Sequence, residues 1–134
     1  MLIGKFLVYL QQTKVIIYLM KENTSFVVLY TGNHTGKVYE NDLVGLASTE
    51  DEAKELLNEI IKEDLETYSE SFKNKSMTVE YDCVKRDVTT NDLPCLLPAY
   101  PVKNYKVTIK SKDIQYTDDE ILSYRIEKIT YLTL

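Results

Sequence analysis

The stretch "STEDEAKELLNEIIKEDLETY", residues 48–68, decides the fold of this chain. Thr49 followed by Glu52, or Ser48 followed by Asp51, is typical of a capping box at a helix N-terminus. Apolar residues then recur at helical spacing, which predicts one apolar face on a helix from about residue 49 to residue 68. They are Ala53, Leu56, Leu57, Ile60, Ile61, Leu65 and Tyr68.

Five glutamates form a stripe opposite most of that apolar face: Glu52, Glu55, Glu59, Glu63 and Glu66. Their separations of three and four residues are the distances at which side chains on a helix meet. Like charges at this spacing cost about 0.2–0.5 kcal/mol per pair, and only Lys62 lies near enough to offset part of it. The stripe, called here the acidic ridge, is therefore a candidate surface for a basic protein partner. A solvated face that only keeps the chain in solution is the alternative.

Asp64 breaks the pattern, because on the helical wheel it points into the apolar arc. A buried carboxylate without a partner is expensive. Either the helix frays near Glu63, or Asp64 meets a lysine, an arginine or a tyrosine hydroxyl. Fraying is the simpler expectation.

The residues before the helix are typical of β-strands. The segments "KFLVYL", "KVIIYLM", "SFVVLYT", "KVY" and "LVGLA" are rich in β-branched and aromatic residues, and polar breaks separate them. The break "END", residues 40–42, predicts a turn. Three or four antiparallel strands in a meander are the simplest arrangement.

Three strands are predicted after the helix. "MTVEYDCVKRDV", residues 77–88, alternates as one half-buried strand that places Cys83 on its apolar face, and "NYKVTIK" alternates again. The tail "ILSYRIEKITYLTL" has too many β-branched and aromatic residues for a helix. Prolines make "TTNDLPCLLPAYP" an irregular apolar loop. We therefore expect one α+β domain over residues 1–134, ordered β-β-β-(β)-α-β-β-β, with one amphipathic helix packed on a mostly antiparallel sheet.

Composition restricts the classes of partner and compartment. The 134 residues carry a net charge of −5, which opposes direct binding to nucleic acid. The apolar N-terminus is interrupted by Lys5 and Lys14 and has no small-residue cleavage site, so neither a membrane span nor a signal peptide is predicted. We expect a cytoplasmic protein whose Cys83 and Cys95 are free thiols.

The segment "VVLYTGNHTGKVY", residues 27–39, resembles a phosphate-binding loop but lacks its requirements. Gly32 and Gly36 have three residues between them instead of four, Lys37 is not followed by a hydroxyl residue, and no helix follows. We interpret the two glycines as positive-φ positions of a hairpin turn.

Two further candidates for enzyme chemistry are weak. His34 could act as a general base, but a solvated histidine at a loop tip is the simpler interpretation. Asp118, Asp119 and Glu120 lie together, yet their spacing matches no calcium loop. No catalytic residue, metal ion or cofactor is predicted.

These patterns favour a small intracellular, non-enzymatic regulator or inhibitor that binds a protein with a basic surface through the acidic ridge. A compact acidic domain without a motif would suit a viral or phage accessory protein. Two alternatives remain open: a small-molecule or nucleotide-binding module with a pocket near the Pro94–Pro101 loop, and an enzyme that uses His34 or the Asp118–Glu120 cluster.

Overall fold

The computed structural model of the chain describes residues 20–34, 36–72, 75–88, 93–110 and 119–134. The strands are β1 (Lys21–His34), β2 (Lys37–Ala47), β3 (Met77–Tyr81), β4 (Val84–Val88), β5 (Asn104–Ile109) and β6 (Glu120–Thr133). The helices are α1 (Glu50–Thr67), a 3₁₀ turn (Ser69–Phe72) and the short α2 (Leu93–Leu96). The predicted strands "KFLVYL" and "KVIIYLM" lie outside the described residues, apart from the final Met20.

All six strands belong to one antiparallel sheet in the order β2-β1-β6-β5-β3-β4. The C-terminal strand β6 lies between β1 and β5, and its ladder with β1 runs without a register shift from Lys21↔Thr133 to Asn33↔Ile121. The expectation of an antiparallel sheet with one main helix is confirmed for this part of the chain. The consecutive strands β1 and β2 pair as the meander predicts, but the meander fails on the other side of β1, where its neighbour is β6.

Helix α1 packs across β2, β1 and β6, which are three adjacent strands at one side of the sheet. Its buried residues are Ala53, Leu57, Ile61 and Leu65. Gly45 of β2 allows the close approach, because a Cβ atom there would lie 2.7 Å from Cδ2 of Leu56. The apolar face that the sequence predicts is therefore the face that contacts the sheet.

Both ends of α1 lie within one residue of their predicted positions. The Glu52 N–H donates to Oγ1 of Thr49 at 3.2 Å, and the Glu52 carboxylate accepts from the Ser48 N–H at 3.3 Å. At the other end, the N–H of Tyr68 donates to the carbonyl of Asp64. The helix thus begins and ends where expected, with its terminal backbone groups partly satisfied.

Three local predictions are wrong. Strand β2 is continuous through residues 40–42, where a turn was predicted, and Asn41 adopts φ 52° in a bulge. Residues 77–88 form a hairpin of β3 and β4 instead of one strand. Asp82 takes φ 50° in its tight turn, which leaves Cys83 exposed instead of on an apolar face. Asparagine and aspartate tolerate this left-handed conformation better than most residues.

The proline-containing loop also differs from its prediction, because residues Leu93–Leu96 form a single helical turn, α2. Leu96 is buried in the core, where the Tyr105 hydroxyl donates to its carbonyl at 2.7 Å. Arg86 donates to the carbonyl of Leu97 at 3.0 Å. A loop is tied to the core in this way because its buried carbonyls need donors.

Candidate interaction surface on helix α1

The acidic ridge faces solvent along the whole length of α1. Each of its five glutamates is exposed, on the side of the helix away from the sheet. Glu59, Glu63 and Glu66 line a shallow, open depression together with Lys62. The arrangement is a convex row of carboxylates, which can contact cations on another surface but does not enclose a small ligand.

Glu50, Glu80 and Glu127 have cationic partners, whereas the ridge has none among the described residues. Glu50, two residues before the first ridge glutamate, lies 2.8 Å from Nζ of Lys103 and 3.8 Å from Nζ of Lys54. The hydrogen bond from Lys103 holds the pKa of Glu50 below its usual value, and the same contact raises the pKa of Lys103. The remaining described ion pairs join Arg125 to Glu127 and Lys85 to Glu80.

Asp64 remains inside the helix, so the expected fraying is wrong. Its Oδ2 atom accepts a hydrogen bond from the Tyr124 hydroxyl at 2.5 Å. Burial, together with this carboxylate, raises the pKa of Tyr124 well above its usual value. The Tyr124 hydroxyl on strand β6 therefore supplies the hydrogen-bond donor that the inward Asp64 carboxylate needs, and this bond connects the last turns of α1 to the sheet.

His34 is buried instead of solvated, with 4% of its surface exposed. Its ring stacks on Tyr39, with centroids 5.1 Å apart, and meets the edge of Tyr68 at 4.7 Å. The interpretation of a solvated histidine is wrong because β1 continues through residue 34 and brings the ring under the end of α1. Tyr39 lies on β2 and Tyr68 caps the C-terminus of α1, a juxtaposition that spacing along the sequence does not reveal.

Tyr30 lies beside this cluster and has no hydrogen-bond partner for its hydroxyl in the described part of the chain. Burial raises the pKa of Tyr30 above its usual range. Gly32 makes room for the hydroxyl, because a Cβ atom there would lie 2.6 Å from Cζ of Tyr30 and 2.9 Å from the Ile121 carbonyl oxygen. The role of Gly32 is close packing inside β1.

Gly36 is the turn residue of the β1–β2 hairpin, with φ 76°. The prediction of a hairpin at this place is confirmed, although only one of the two glycines supplies a positive φ. Strand β2 follows the turn directly, so this segment has no helix N-terminus that could bind phosphate.

The other candidate positions remain apart. Cys83 lies in the β3–β4 turn, and Cys95 lies in α2. Asp118 lies outside the described residues, Asp119 is exposed, and Glu120 begins β6. Within the described ranges, no group of three or more histidine, cysteine, aspartate or glutamate residues could hold a metal ion.

The lysines of the segment "NYKVTIK" do not lie at an edge of the sheet. Strand β5 lies between β6 and β3, so Lys106 belongs to an interior strand, and Lys110 directly follows its last residue. Lys112 lies outside the described residues. The edges of the sheet are β2 and β4.

Strand β2 carries a feature that sequence reasoning missed. Val38, Leu43 and Leu46 are 78%, 63% and 62% exposed. The signal in the sequence was the continuous run "LVGLA", which is typical of a buried strand when its neighbours are unknown. Because β2 lies at the edge of the sheet, these side chains are exposed to solvent.

Comparison with protein families, with curated proteins and with solved structures finds no match to this chain. Among the helices of the described residues, none combines the length and the apolar character needed to cross a membrane.

Proposed function

We propose that this chain is a non-enzymatic, protein-binding regulator or inhibitor whose acidic ridge docks on a basic surface of its partner. The observation that carries the proposal is the contrast within α1: Glu50 has two lysine partners, whereas the ridge glutamates have no cation within ion-pair distance among the described residues. A partner's lysines or arginines would supply the missing cations.

The ridge is mounted on a well-anchored element. Thr49 and Glu52 cap its start, and the bond from Tyr124 to Asp64 ties its end to the sheet. A surface that is already ordered loses little conformational entropy when it binds. Exposed carboxylates on a rigid helix therefore favour fast, electrostatically steered association.

The ridge also has an energetic signature. Glu55 and Glu59 are four residues apart, as are Glu59 and Glu63, and each such pair opposes the helix by about 0.2–0.5 kcal/mol. A partner that contributes positive charge would relieve this repulsion on binding. The repulsion that destabilises the free helix would then contribute favourably to the free energy of binding.

The test begins with capture of the partner from the native host, identified by mass spectrometry, followed by affinity measurements with purified components. The variant Glu55→Lys with Glu59→Lys reverses two charges at the centre of the ridge. We expect its dissociation constant to rise at least about 100-fold, with most of the loss in the association rate. Wild-type affinity should fall as salt screens charges beyond about 10 Å at 0.1 M.

The matched control is Glu22→Lys with Glu40→Lys. Both glutamates are exposed and lie on β1 and β2, away from the ridge, and both variants raise the net charge from −5 to −1 through two changes of +2. Binding that survives in the control and fails in the ridge variant supports the proposal. An equal loss in both variants would attribute binding to net charge alone, and an unchanged affinity in the ridge variant would exclude the ridge.

A further inference from the structure

The sheet face turned away from α1 is divided into a polar side and an apolar side. On β3, β4 and β5 this outer face carries Thr78, Glu80, Lys85, Asp87, Lys106 and Thr108. On β2, β1 and the C-terminal half of β6 it carries apolar side chains interspersed with polar ones such as Ser25 and Thr31. We call these apolar residues the outer apolar patch, which consists of Leu29, Leu43, Leu46, Ile129 and Tyr131 around Val27, whose side chain is only 7% exposed.

The strand registers place the patch on one face. Val28 is fully buried and lies opposite Gly45, which faces the helix. Its neighbours Val27 and Leu29 therefore point to the outer face, because successive side chains alternate across a strand. Val27 pairs with Leu46 and Leu29 pairs with Leu43, so these four residues form a block of two by two.

Strand β6 extends this block. Glu127 lies beside Val27 and Arg125 lies beside Leu29, and further along β6 Ile129 and Tyr131 lie on the same face. Ile129 is 38% exposed and Tyr131 is 44% exposed. Contiguous exposed apolar side chains rimmed by polar groups mark an interaction surface more often than ordinary solvent contact.

We propose that a second copy of this chain covers the outer apolar patch, in a dimer with the two sheets packed face to face. The patch is complementary to itself under one two-fold axis. This axis lies between the sheets, perpendicular to the strands, and passes between the Val27 and Leu29 levels. It places Leu46 over Leu43 of the second copy and Val27 over Leu29.

Charge supports the same axis. Arg125 and Glu127 are the two charged side chains beside the block, and they pair with each other at 2.8 Å within one chain. The two-fold axis places Glu127 of each copy over Arg125 of the other, so two cross-dimer ion pairs form from one sequence. The same operation places Tyr131 over Ile121 and Asn23 over Asn33, whereas it places Ile129 over Ser123.

The position of the helix favours a second copy despite the net charge of −5. Helix α1 covers the inner face of the same three strands, so face-to-face packing puts the two acidic ridges on opposite outer surfaces. Two packed sheets add about 10 Å between the copies, and the helices lie beyond them. The ridges are then separated by well over the Debye length of about 8 Å at physiological ionic strength.

Pairing through the edge of β2 fits less well. Val44 has no direct partner in the β1–β2 ladder, and a second shift follows at Asn41 with its positive φ. Bulges of this kind distort an edge and hinder the addition of another strand. The exposed leucines of β2 also point to the outer face, where an added strand would leave them uncovered.

The contact is small, which sets the concentration range of the experiment. Three strands about 4.8 Å apart, over residues 23–33 at about 3.3 Å each, present about 500 Å² per copy. Stable complexes bury about 800 Å² per partner, so this dimer should be a weak one. Sedimentation equilibrium of the full chain from about 10 μM to 1 mM should show a monomer–dimer equilibrium that saturates at two chains.

Leu43→Ser with Leu46→Ser should raise the dimer dissociation constant at least about 100-fold, and Val38→Ser should change it less than about threefold. Val38 is the matched control because it is the more exposed residue on the same strand and lies at the hairpin end, away from the block. A wild-type chain that stays monomeric to 1 mM overturns the proposal, as does assembly beyond two chains. Loss of thermal stability of the monomer in the double serine variant would also overturn the proposal. It would mean that the chain itself covers the patch.

Charge exchange tests the axis. Glu127→Arg places arginine over arginine and should weaken the dimer at least about tenfold, while Arg125 keeps its bond to Asn41. Adding Arg125→Glu restores opposite charges across the axis and should recover wild-type affinity to within about threefold. Failure of the exchange to recover affinity, in a variant that folds normally by circular dichroism, would overturn this arrangement.

Discussion

Helix α1 carries acidic side chains on both of its sides, and the environment of the carboxylates differs between the two sides. Asp64 points to the sheet and accepts a 2.5 Å hydrogen bond from Tyr124, a residue that is 2% exposed. The ridge glutamates point to solvent and have no cation among the described residues. One helix thus uses the Asp64 carboxylate in an internal hydrogen bond and presents the ridge carboxylates as an exposed charged surface.

The largest expected effect concerns the tyrosines on the inner side. Burial raises the pKa of Tyr30, Tyr105 and Tyr124, whereas in the unfolded chain each has a pKa of about 10. As pH rises above about 10, the unfolded state releases protons that the folded state retains. The free energy of unfolding should therefore fall, by up to about 4 kcal/mol per pH unit for three such groups.

Urea unfolding between about pH 9 and pH 11 measures this loss, with tyrosinate absorbance as the second readout. Tyr124→Phe should make the pH dependence shallower by about one third, because one of the three groups no longer titrates. A free energy of unfolding that stays flat across this range would show that the inner tyrosines ionise freely in the folded state.

Gly32 tests how tightly the inner side is packed. Gly32→Ala should lower the free energy of unfolding by about 1–3 kcal/mol, because the methyl group meets the Ile121 carbonyl oxygen and the Tyr30 ring. Chemical denaturation measures the change. Gly36→Ala is the comparison: no atom lies within 4 Å of the place that its methyl group would take, so its cost arises from the positive φ alone and should be about 1 kcal/mol. A smaller cost at Gly32 than at Gly36 would contradict the close packing.

The bond between Tyr124 and Asp64 should contribute about 1 kcal/mol, because Asp64 is only half-buried and can reach water when the donor is removed. Tyr124→Phe, Asp64→Asn and the double variant form a cycle that isolates the pair. Tyr131→Phe is the control, since Tyr131 is exposed and should change stability by less than about 0.5 kcal/mol. Additive single effects would mean that the pair is not coupled.

The smallest effect on stability is expected on the outer side. Glu55→Lys with Glu59→Lys should raise the free energy of unfolding by a few tenths of a kcal/mol. The reversed positions attract Glu52 and Glu63, which outweighs the like-charge pair that remains between positions 55 and 59 and the new repulsion of Lys62. Thermal unfolding at low and high salt measures the gain, which salt should reduce. A loss of more than about 1 kcal/mol would mean that these glutamates have structural partners and that the contrast between the two sides is false.

The sequence by itself determined the elements whose signals are local. Helix α1 was predicted from Thr49 and Glu52 at its start and from apolar residues every three or four positions, and the strands β1, β5 and β6 were predicted from their β-branched and aromatic residues. The exposed stripe of glutamates also follows from helical spacing alone. Each of these features depends on residues only a few positions apart along the chain, so the sequence pattern is enough to predict it.

Only the tertiary structure decided the partners that come from distant parts of the chain. Asp64 is bonded to a tyrosine 60 residues away, and His34 is buried because Tyr39 and Tyr68 converge on it. The sequence predicts a turn at Gly32, whereas in the structure the ring of Tyr30 and strand β6 occupy the space beside it. The leucines of β2 resembled core residues, and they are exposed because β6 takes the place beside β1 and leaves β2 at the edge. The order of strands in a sheet depends on pairings across the whole chain, and hydrophobic periodicity within one segment does not encode them.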